Sequence, residues 1–278
     1  SPQPPISARP RKLSVTAITR LIRDPYAIYA EKILRLRKLD PLHRSPDAAL
    51  RGTVLHDIMQ HLIEEHPHPI SAETMLQVAD EFLQANAPWP TARIIWRAKL
   101  ARIADGFLRD ETIRHAMAHP VALEQAGSLL IDEHAFYLTG KVDRIDRAPD
   151  GTLIIYDYKT GTLPSKLQIR HFDKQLYLEA LMAEGGAFEN VAPATVQAVA
   201  HIGLGSNTNF KLITLDPDET ATTYDEFLTL LGEYANPLRG YTSRRAMAKV
   251  RFGGDYDHLA RFGEWDESDE PVGGIVGS

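Results

Sequence analysis

The chain contains no cysteine. That absence removes disulfides, thiolate zinc centres and iron–sulfur clusters, and it suits a reducing compartment such as the cytosol. Long apolar runs are missing as well. Nothing approaches the roughly 18 consecutive apolar residues that a membrane helix needs, and no secretory leader is recognisable, so a cytoplasmic protein without a membrane partner is expected. A basic excess is also lacking. With 31 Lys+Arg against 37 Asp+Glu the formal net charge is −6, whereas a free-standing nucleic-acid binder usually draws affinity from positive charge. The chain has no Gly-x-x-x-x-Gly-Lys-Ser/Thr loop, which excludes a P-loop nucleotide site. Gly203-Leu204-Gly205-Ser206 is too short for a dinucleotide fingerprint, His66-Pro67-His68 fits no zinc pattern, and there are no internal repeats.

What is present is an ordinary globular composition: 278 residues, 44% hydrophobic and 24% charged, enough to bury a proper core. Positive charge gathers at Arg35/Arg37/Lys38, Arg93/Arg97/Lys99/Arg102, Lys166/Arg170/Lys174 and Arg244/Arg245/Lys249/Arg251. Acids gather at Glu264, Asp266, Glu267, Asp269 and Glu270. Each cluster taken alone reads as a solvated face. The basic, Pro-rich lead over residues 1–12 reads as an interdomain linker, and the chain as a piece of something longer.

Residues 13–120 carry helical periodicity. Asp24-Pro25 is a helix start that opens a helix through Leu39. Gly52-Thr53 opens the next, where Leu55, Ile58, Met59 and Leu62 form the apolar stripe and His56 lies at its edge. Further helices are expected over 71–86 and 92–118. From Val121 the period becomes two. Strands are expected over 128–137, 138–147, 152–159, 195–203 and 210–215, with helices over 165–184 and 218–234. An irregular arm with an acidic, Gly-containing tail occupies 237–278. The expected architecture is α/β: a helical part over 13–120, then a core over 121–236 built on a mixed central sheet flanked by helices.

The most informative stretch is Gly140-Lys141-Val142-Asp143-Arg144-Ile145-Asp146, a turn at Ala148-Pro149-Asp150-Gly151, then Ile154-Ile155-Tyr156-Asp157-Tyr158-Lys159-Thr160-Gly161. The turn chemistry predicts a hairpin, which sets Asp143 opposite Asp157 to within a residue or two. Opposed Cβ atoms lie about 4.5–5.5 Å apart, and like charges there repel. Asp157 and Lys159 share a face. The apolar run Leu153-Ile154-Ile155-Tyr156 marks a buried strand, where unpartnered charges are costly. The bland alternative is an exposed hairpin with a cross-strand salt bridge. The sharper reading is a divalent cation held by Asp143, Asp157 and the Tyr158 carbonyl. Mg²⁺ prefers such oxygens and keeps waters, and Lys159 would orient or deprotonate a water or stabilise charge on a phosphorane.

Other candidates stay open on residue type alone. His56 is either a structural edge histidine or a ligand, and as a ligand it would favour Mn²⁺ over Mg²⁺. Gln175 is either half of an exposed i, i+4 pair with Glu179 or a group that orients Lys159 or a phosphate. Glu124 or Glu133 could add a carboxylate, with Glu133 reading as a surface acid at a strand end.

Asp143…Asp157-Tyr158-Lys159-Thr160-Gly161 resembles the PD-(D/E)xK signature of RecB-like nucleases, and Gly140-x-x-Asp143-Arg144-Ile145-Asp146 is similar to that family's first acid motif. Arg51-Gly52-Thr53-Val54-Leu55-His56 is similar to its helix-borne histidine element, which implies a metal-ligand role for His56. Gln175 matches its downstream Gln. The Tyr usual four residues later is Glu179 here, with Tyr177 nearby. Leu13-Ser14-Val15-Thr16-Ala17-Ile18 with Asp24-Pro25-Tyr26, and Tyr241-Thr242-Ser243-Arg244 with Asp255-Tyr256-Asp257-His258, resemble the flanks of AddB-type C-terminal nuclease domains over about residues 13–266. The resemblance implies a restriction-endonuclease-like core and a Mg²⁺-dependent exonuclease acting on unwound single-stranded DNA during double-strand break processing, by analogy on the 5′-ended strand. It implies as partners the rest of an AddB chain and an AddA helicase–nuclease subunit, which would supply much of the DNA grip and so account for the acidic charge. Candidate DNA contacts are Lys166, Arg170, Lys174, Tyr177 and Arg244. Some relatives pin this domain with an iron–sulfur cluster, which a chain without cysteine cannot hold, so its arms must be held by packing. A competing expectation is a non-catalytic strand guide or scaffold of the same fold. Such copies usually lose an acid or the lysine, and all three are present here. A stand-alone endonuclease is a third.

Overall fold

One long strand organises the chain. The computed structural model describes residues 1–39, 42–43, 45–165, 168–169, 174–205, 210–244, 253–266 and 268–277. Its elements run β1 (Pro2–Gln3), β2 (Lys12–Ser14), α1 (Val15–Arg23), α2 (Pro25–Ile28), α3 (Ala48–Glu65), α4 (Ala72–Asn86), α5 (Pro90–Met117), β3 (His119–Ile131), β4 (Phe136–Arg147), β5 (Leu153–Lys159), α6 (Gln175–Glu184), β6 (Val196–Gly203), β7 (Phe210–Thr214), α7 (Pro217–Ala235) and β8 (Gly274–Ile275). The main sheet has the order β2-β4-β5-β6-β7, with β3 on the other edge of β4. β2 pairs in parallel with Tyr137–Thr139 of β4, and β5 pairs antiparallel with Arg144–Arg147. Residues 140–143 fall between these two ladders, and this notch holds the site described below.

Local chemistry explains the element starts. The side chains of Ser14, Asp47 and Ser71 accept hydrogen bonds from Ala17, Leu50 and Thr74 N–H, capping α1, α3 and α4 at 3.1, 2.8 and 3.0 Å. Proline occupies the first turn of α5 and α7, where its missing N–H costs nothing. At the β4–β5 turn, Gly151 N–H donates to the Ala148 carbonyl at 2.9 Å with Gly151 at φ +88°. A residue with a Cβ would be strained there.

β5 alternates between two cores. Leu153 and Ile155 join Ile145 and Val199 beneath α1, α6 and α7, while Ile154, Tyr156 and Tyr158 pack with Ala198, Ala200 and Ile202 against α3, α4 and α5. A strand covered on both faces must be apolar throughout, which is why its sequence reads as an unbroken run. A buried ionic network ties the second layer to the sheet. Arg144, 0% exposed, forks onto Asp146 at 2.6 and 2.7 Å and reaches Glu111 of α5 at 2.6 Å, and Glu111 also accepts from Arg114 at 2.9 Å.

Two expectations need correction. The helix expected through Leu39 ends in a π-helical turn at Tyr29–Ile33, and Arg35 adopts φ +58°. Leu36 and Leu39 beyond it are exposed, so no packed face exists to sustain the helix. The strand expected over 128–137 is two strands: β3 ends at Ile131, Asp132–His134 forms a 3₁₀ turn, and Ala135 at φ +47° reverses the chain into β4. The polar run Asp132-Glu133-His134 between Leu129-Leu130-Ile131 and Ala135-Phe136-Tyr137 marks the reversal in the sequence. Residues 1–12 pack against the rest of the chain. The Arg9 guanidinium donates to the carbonyls of Pro4, Tyr234, Asn236, Pro237 and Arg239 at 2.9–3.1 Å, and β1 pairs with β8. The C-terminal arm is held through Arg244–Asp257, Lys38–Asp255 (2.9 Å) and the Tyr256 hydroxyl on the Leu36 carbonyl (2.9 Å). Among the described residues, no helix is long and apolar enough to cross a membrane.

Candidate metal centre

Sheet register sets the acids in a row. Leu123↔Arg144 and Gln125↔Val142 bracket Glu124 opposite Asp143. The last β4–β5 pair, Arg144↔Tyr156, carries on to Asp143 opposite Asp157, and Asp157 pairs with His201 in the parallel β5–β6 ladder. Glu124, Asp143, Asp157 and His201 therefore cross four neighbouring strands side by side. Three adjacent carboxylates repel one another, and the surrounding groups show how the fold answers that repulsion.

On one side, α3 delivers His56. Its Nδ1 lies 3.2 Å from Glu124 Oε1 and 3.4 Å from Asp143 Oδ1, and its Nε2 lies 2.9 Å from the Tyr158 carbonyl oxygen. Asp143 Oδ2 accepts the Tyr158 N–H at 2.7 Å, replacing a ladder bond where the strands part. Burial by itself would lower the His56 pKa, but its bonds to Asp143 and Glu124 and their charges override this and raise it to about 10. Burial pushes the Asp143 carboxyl up, opposed by His56 and reinforced by Asp157. For Glu124, burial is outweighed by His56 and Lys141, which hold it below the usual carboxylate range. Lys141 Nζ approaches Glu124 Oε2 at 2.6 Å. Glu124 itself adopts φ +47°, a left-handed conformation costing roughly 1 kcal/mol for a non-glycine residue. It follows a register shift between Pro120 and Ala122. One ligand atom each from His56, Glu124 and Asp143 lies within 4.8 Å of the others. With the Tyr158 carbonyl beside them this is a donor set of hard oxygens plus one imidazole, which fits Mg²⁺ or Mn²⁺.

On the other side, Asp157 is gripped by three donors. Its Oδ1 accepts from Lys159 Nζ at 2.8 Å and Gln175 Nε2 at 3.0 Å, and its Oδ2 meets His201 Nδ1 at 3.0 Å. Burial alone would raise its pKa, but His201 and Lys159 outweigh it and hold the carboxyl below its ordinary value. Gln175, the first residue of α6, also accepts from Lys159 Nζ at 3.4 Å and donates to Glu179 Oε1 at 3.0 Å. Glu179 is 2% exposed, so of the two alternatives for Gln175 the exposed pair with Glu179 is not the one observed. Burial, and then the charge of Asp157, push its carboxyl well up.

The structure thus brings together His56, Asp143, Tyr158 and Glu124 around one point, and Asp157, Lys159 and Gln175 around a second, adjoining one. Asp157 is not among the three clustered ligand atoms. Glu133 lies elsewhere, accepting from the Tyr224 hydroxyl at 3.2 Å. Of the candidate DNA contacts, Lys166 and Arg170 lie outside the described residues. Lys174 pairs with Glu226 at 3.0 Å and stands over the half-buried Tyr177 ring. Arg244 donates to Asp257 at 2.8 Å and stands over the Phe262 ring. His201 and Lys141 were not singled out from sequence, and Glu179 was named only through its spacing to Gln175. The one signal for His201 was a lone imidazole in an apolar strand. The site opens on a cavity of about 670 Å³ bordered by Ser14, Thr16, Gly140, Lys141, Gln175 and Glu179.

Comparison with known proteins adds an independent line. The profile of the PD-(D/E)XK nuclease superfamily matches residues 12–246. An uncharacterised protein of Rickettsia bellii is 28% identical over 179 residues, 62% of this chain and 22% of its own length. An ATP-dependent helicase/deoxyribonuclease subunit of Streptococcus mutans is 29% identical over 185 residues, 62% of this chain and 16% of its own length. The chain therefore spans less than a quarter of either relative. A solved structure from Eubacterium rectale aligns over 96% of this chain and 92% of that one, with 10% identity and a TM-score of 0.49.

Proposed function

The chain belongs to the PD-(D/E)XK nuclease superfamily, and from that premise we propose that it is the nuclease domain of an AddB-type subunit, hydrolysing unwound single-stranded DNA with Mg²⁺ or Mn²⁺. The observation that carries the reading is the row Glu124–Asp143–Asp157 capped by His56 on one side and Lys159 on the other. Three carboxylates side by side are unfavourable in a sheet, and a site for a cation gives them a purpose.

His56, Glu124, Asp143 and the Tyr158 carbonyl would hold the metal. Such an ion lowers the pKa of water and polarises a phosphoryl oxygen. The chain's own residues do the rest. Asp157 and Gln175 fix the Lys159 ammonium beside the metal ligands, where it can orient the attacking water or offset charge building on the phosphate. His201 holds the far oxygen of Asp157 so that its carboxylate cannot swing. The likeness to helicase/deoxyribonuclease subunits supports a role in processing broken DNA ends, by analogy on the 5′-ended strand. It also supports assembly with the remainder of an AddB chain and an AddA subunit.

The test is cleavage of end-labelled single-stranded DNA with and without Mg²⁺. Asp143→Ala should abolish cleavage and metal binding together, and Lys159→Ala should lose turnover while binding metal normally in a calorimetric titration. Full activity in Asp143→Ala, or metal-independent cleavage by the unaltered protein, would defeat the reading.

A further inference from the structure

We infer that the cavity at the carboxyl ends of β5 and β6 binds the phosphate group neighbouring the scissile one, gripping single-stranded DNA through Arg51 and Lys99. This rests on the nuclease reading above and adds a subsite to it.

The cavity, about 400 Å³, is separate from the one beside Gln175 and Glu179. It is bordered by Arg51 of α3, Lys99 of α5, and Thr160, Gly161, Gly203 and Gly205. β5 and β6 run in parallel and end together, with the Leu204 N–H donating to the Lys159 carbonyl at 2.8 Å. The carboxyl ends of parallel strands are where open α/β sheets receive ligands. Thr160 follows Lys159 directly, so the cavity wall continues the strand that carries the proposed reaction centre.

Charge decides what the cavity takes. The chain as a whole is acidic, at −6, yet among the described residues no Asp or Glu borders this cavity. Many cations elsewhere are neutralised: Lys38 by Asp255, Arg97 by Asp80, Lys141 by Glu124 and Lys174 by Glu226. Arg51 instead donates only to the Thr160 carbonyl, at 3.4 Å, and Lys99 has no hydrogen-bonded or ionic partner among the described residues. Among the described residues, these two cations without an anionic partner share the lining with Gly161, Gly203 and Gly205, which have no Cβ to narrow the approach. The shared chemistry is phosphate recognition without base readout, as expected for a strand of any sequence that must be held in register.

The decisive experiment compares Arg51→Gln, Lys99→Gln and the double variant with the unaltered chain, after thermal melts show that each folds. In chelator, where no turnover occurs, binding of a fluorescein-labelled oligothymidylate is followed by anisotropy across salt concentrations. The double variant should bind about 10-fold more weakly, and each single variant should flatten the salt slope by about 0.7, the value for one lost phosphate contact on a single strand. Arg51→Lys should keep most of the binding. With metal, the double variant should show a raised KM on the oligothymidylate at nearly unchanged kcat. Hydrolysis of the p-nitrophenyl ester of thymidine 5′-monophosphate, which has no neighbouring phosphate, should be unaffected. Unchanged binding and salt slope would overturn the subsite. So would equal loss on both substrates, which would put the two cations in the reaction centre. Should the unaltered chain cleave neither substrate, the nuclease reading fails, and the anisotropy result still decides whether the cavity binds phosphate.

Discussion

Asp143 and Asp157 oppose one another one step beyond the last paired residues of the β4–β5 hairpin, yet their carboxylates turn to different partners. Asp143 faces His56 and the Tyr158 N–H, while Asp157 faces Lys159, Gln175 and His201. The hairpin splays there, so each acid can be surrounded by its own donors. One environment is suited to a cation and the other to fixing a lysine.

His201 should matter to turnover without touching substrate. His201→Ala frees one oxygen of Asp157, and a loss in kcat of about 10–100-fold is expected, the range for groups that orient a site. His201→Asn, whose amide can donate from nearly the same place as Nδ1, should recover much of it, while metal titrations of both variants match the unaltered chain. No rescue by Asn together with a lower melting temperature in both would mark His201 as merely structural.

Glu179→Gln should stabilise the fold at neutral pH, by about 1 kcal/mol or more, because a buried acid is replaced by a neutral group that can still accept from Gln175. The folded pKa of Glu179 is raised, so the native state holds a proton that the unfolded chain releases above pH ~4.5. Its contribution is lost as pH rises from there through the folded value. Urea unfolding between pH 5 and 8 should therefore show a steeper fall in stability for the unaltered chain than for the variant. Equal slopes would contradict this.

His56 gives the opposite end of the pH scale. Its folded pKa of about 10 lies above the ordinary 6.5, so in metal-free protein its stabilisation is complete below pH 6.5 and is lost as pH rises towards 10. Denaturation midpoints in chelator should fall over that window, and His56→Gln should flatten the fall. Since metal must displace the same proton, metal affinity should rise over the same range.

Arg144→Met should destabilise strongly. Removing the guanidinium leaves Asp146 and Glu111 buried without their cation, a loss on the order of 3–5 kcal/mol. Chemical denaturation would measure it. A change below about 1 kcal/mol would mean that water or rearranged neighbours replace the arginine.

The sequence by itself determined the parts whose causes are local. Ala148-Pro149-Asp150-Gly151 dictates a tight reversal, and so short a loop leaves the strands on either side few registers. The opposition of Asp143 and Asp157 was therefore legible before any fold was known. The same holds for β5 as a buried strand, for the start of α4 at Ser71, and for the arrangement of a mixed sheet between helical layers; α3, expected to open at Gly52-Thr53, starts instead at Ala48 behind the Asp47 cap. Tertiary structure alone decided what joins distant segments. Glu124 reaches His56 only because a register shift and a left-handed residue re-aim it. His201 reaches Asp157 across 44 residues through a parallel ladder whose register no turn specifies. Glu179 looked like half of an exposed pair because its i, i+4 spacing to Gln175 says which residues meet, not which face of the helix is covered. Local geometry reports neighbours along the chain. The grouping of His56, Glu124 and Asp143, and the separate hold on Asp157, come from packing between elements far apart in it.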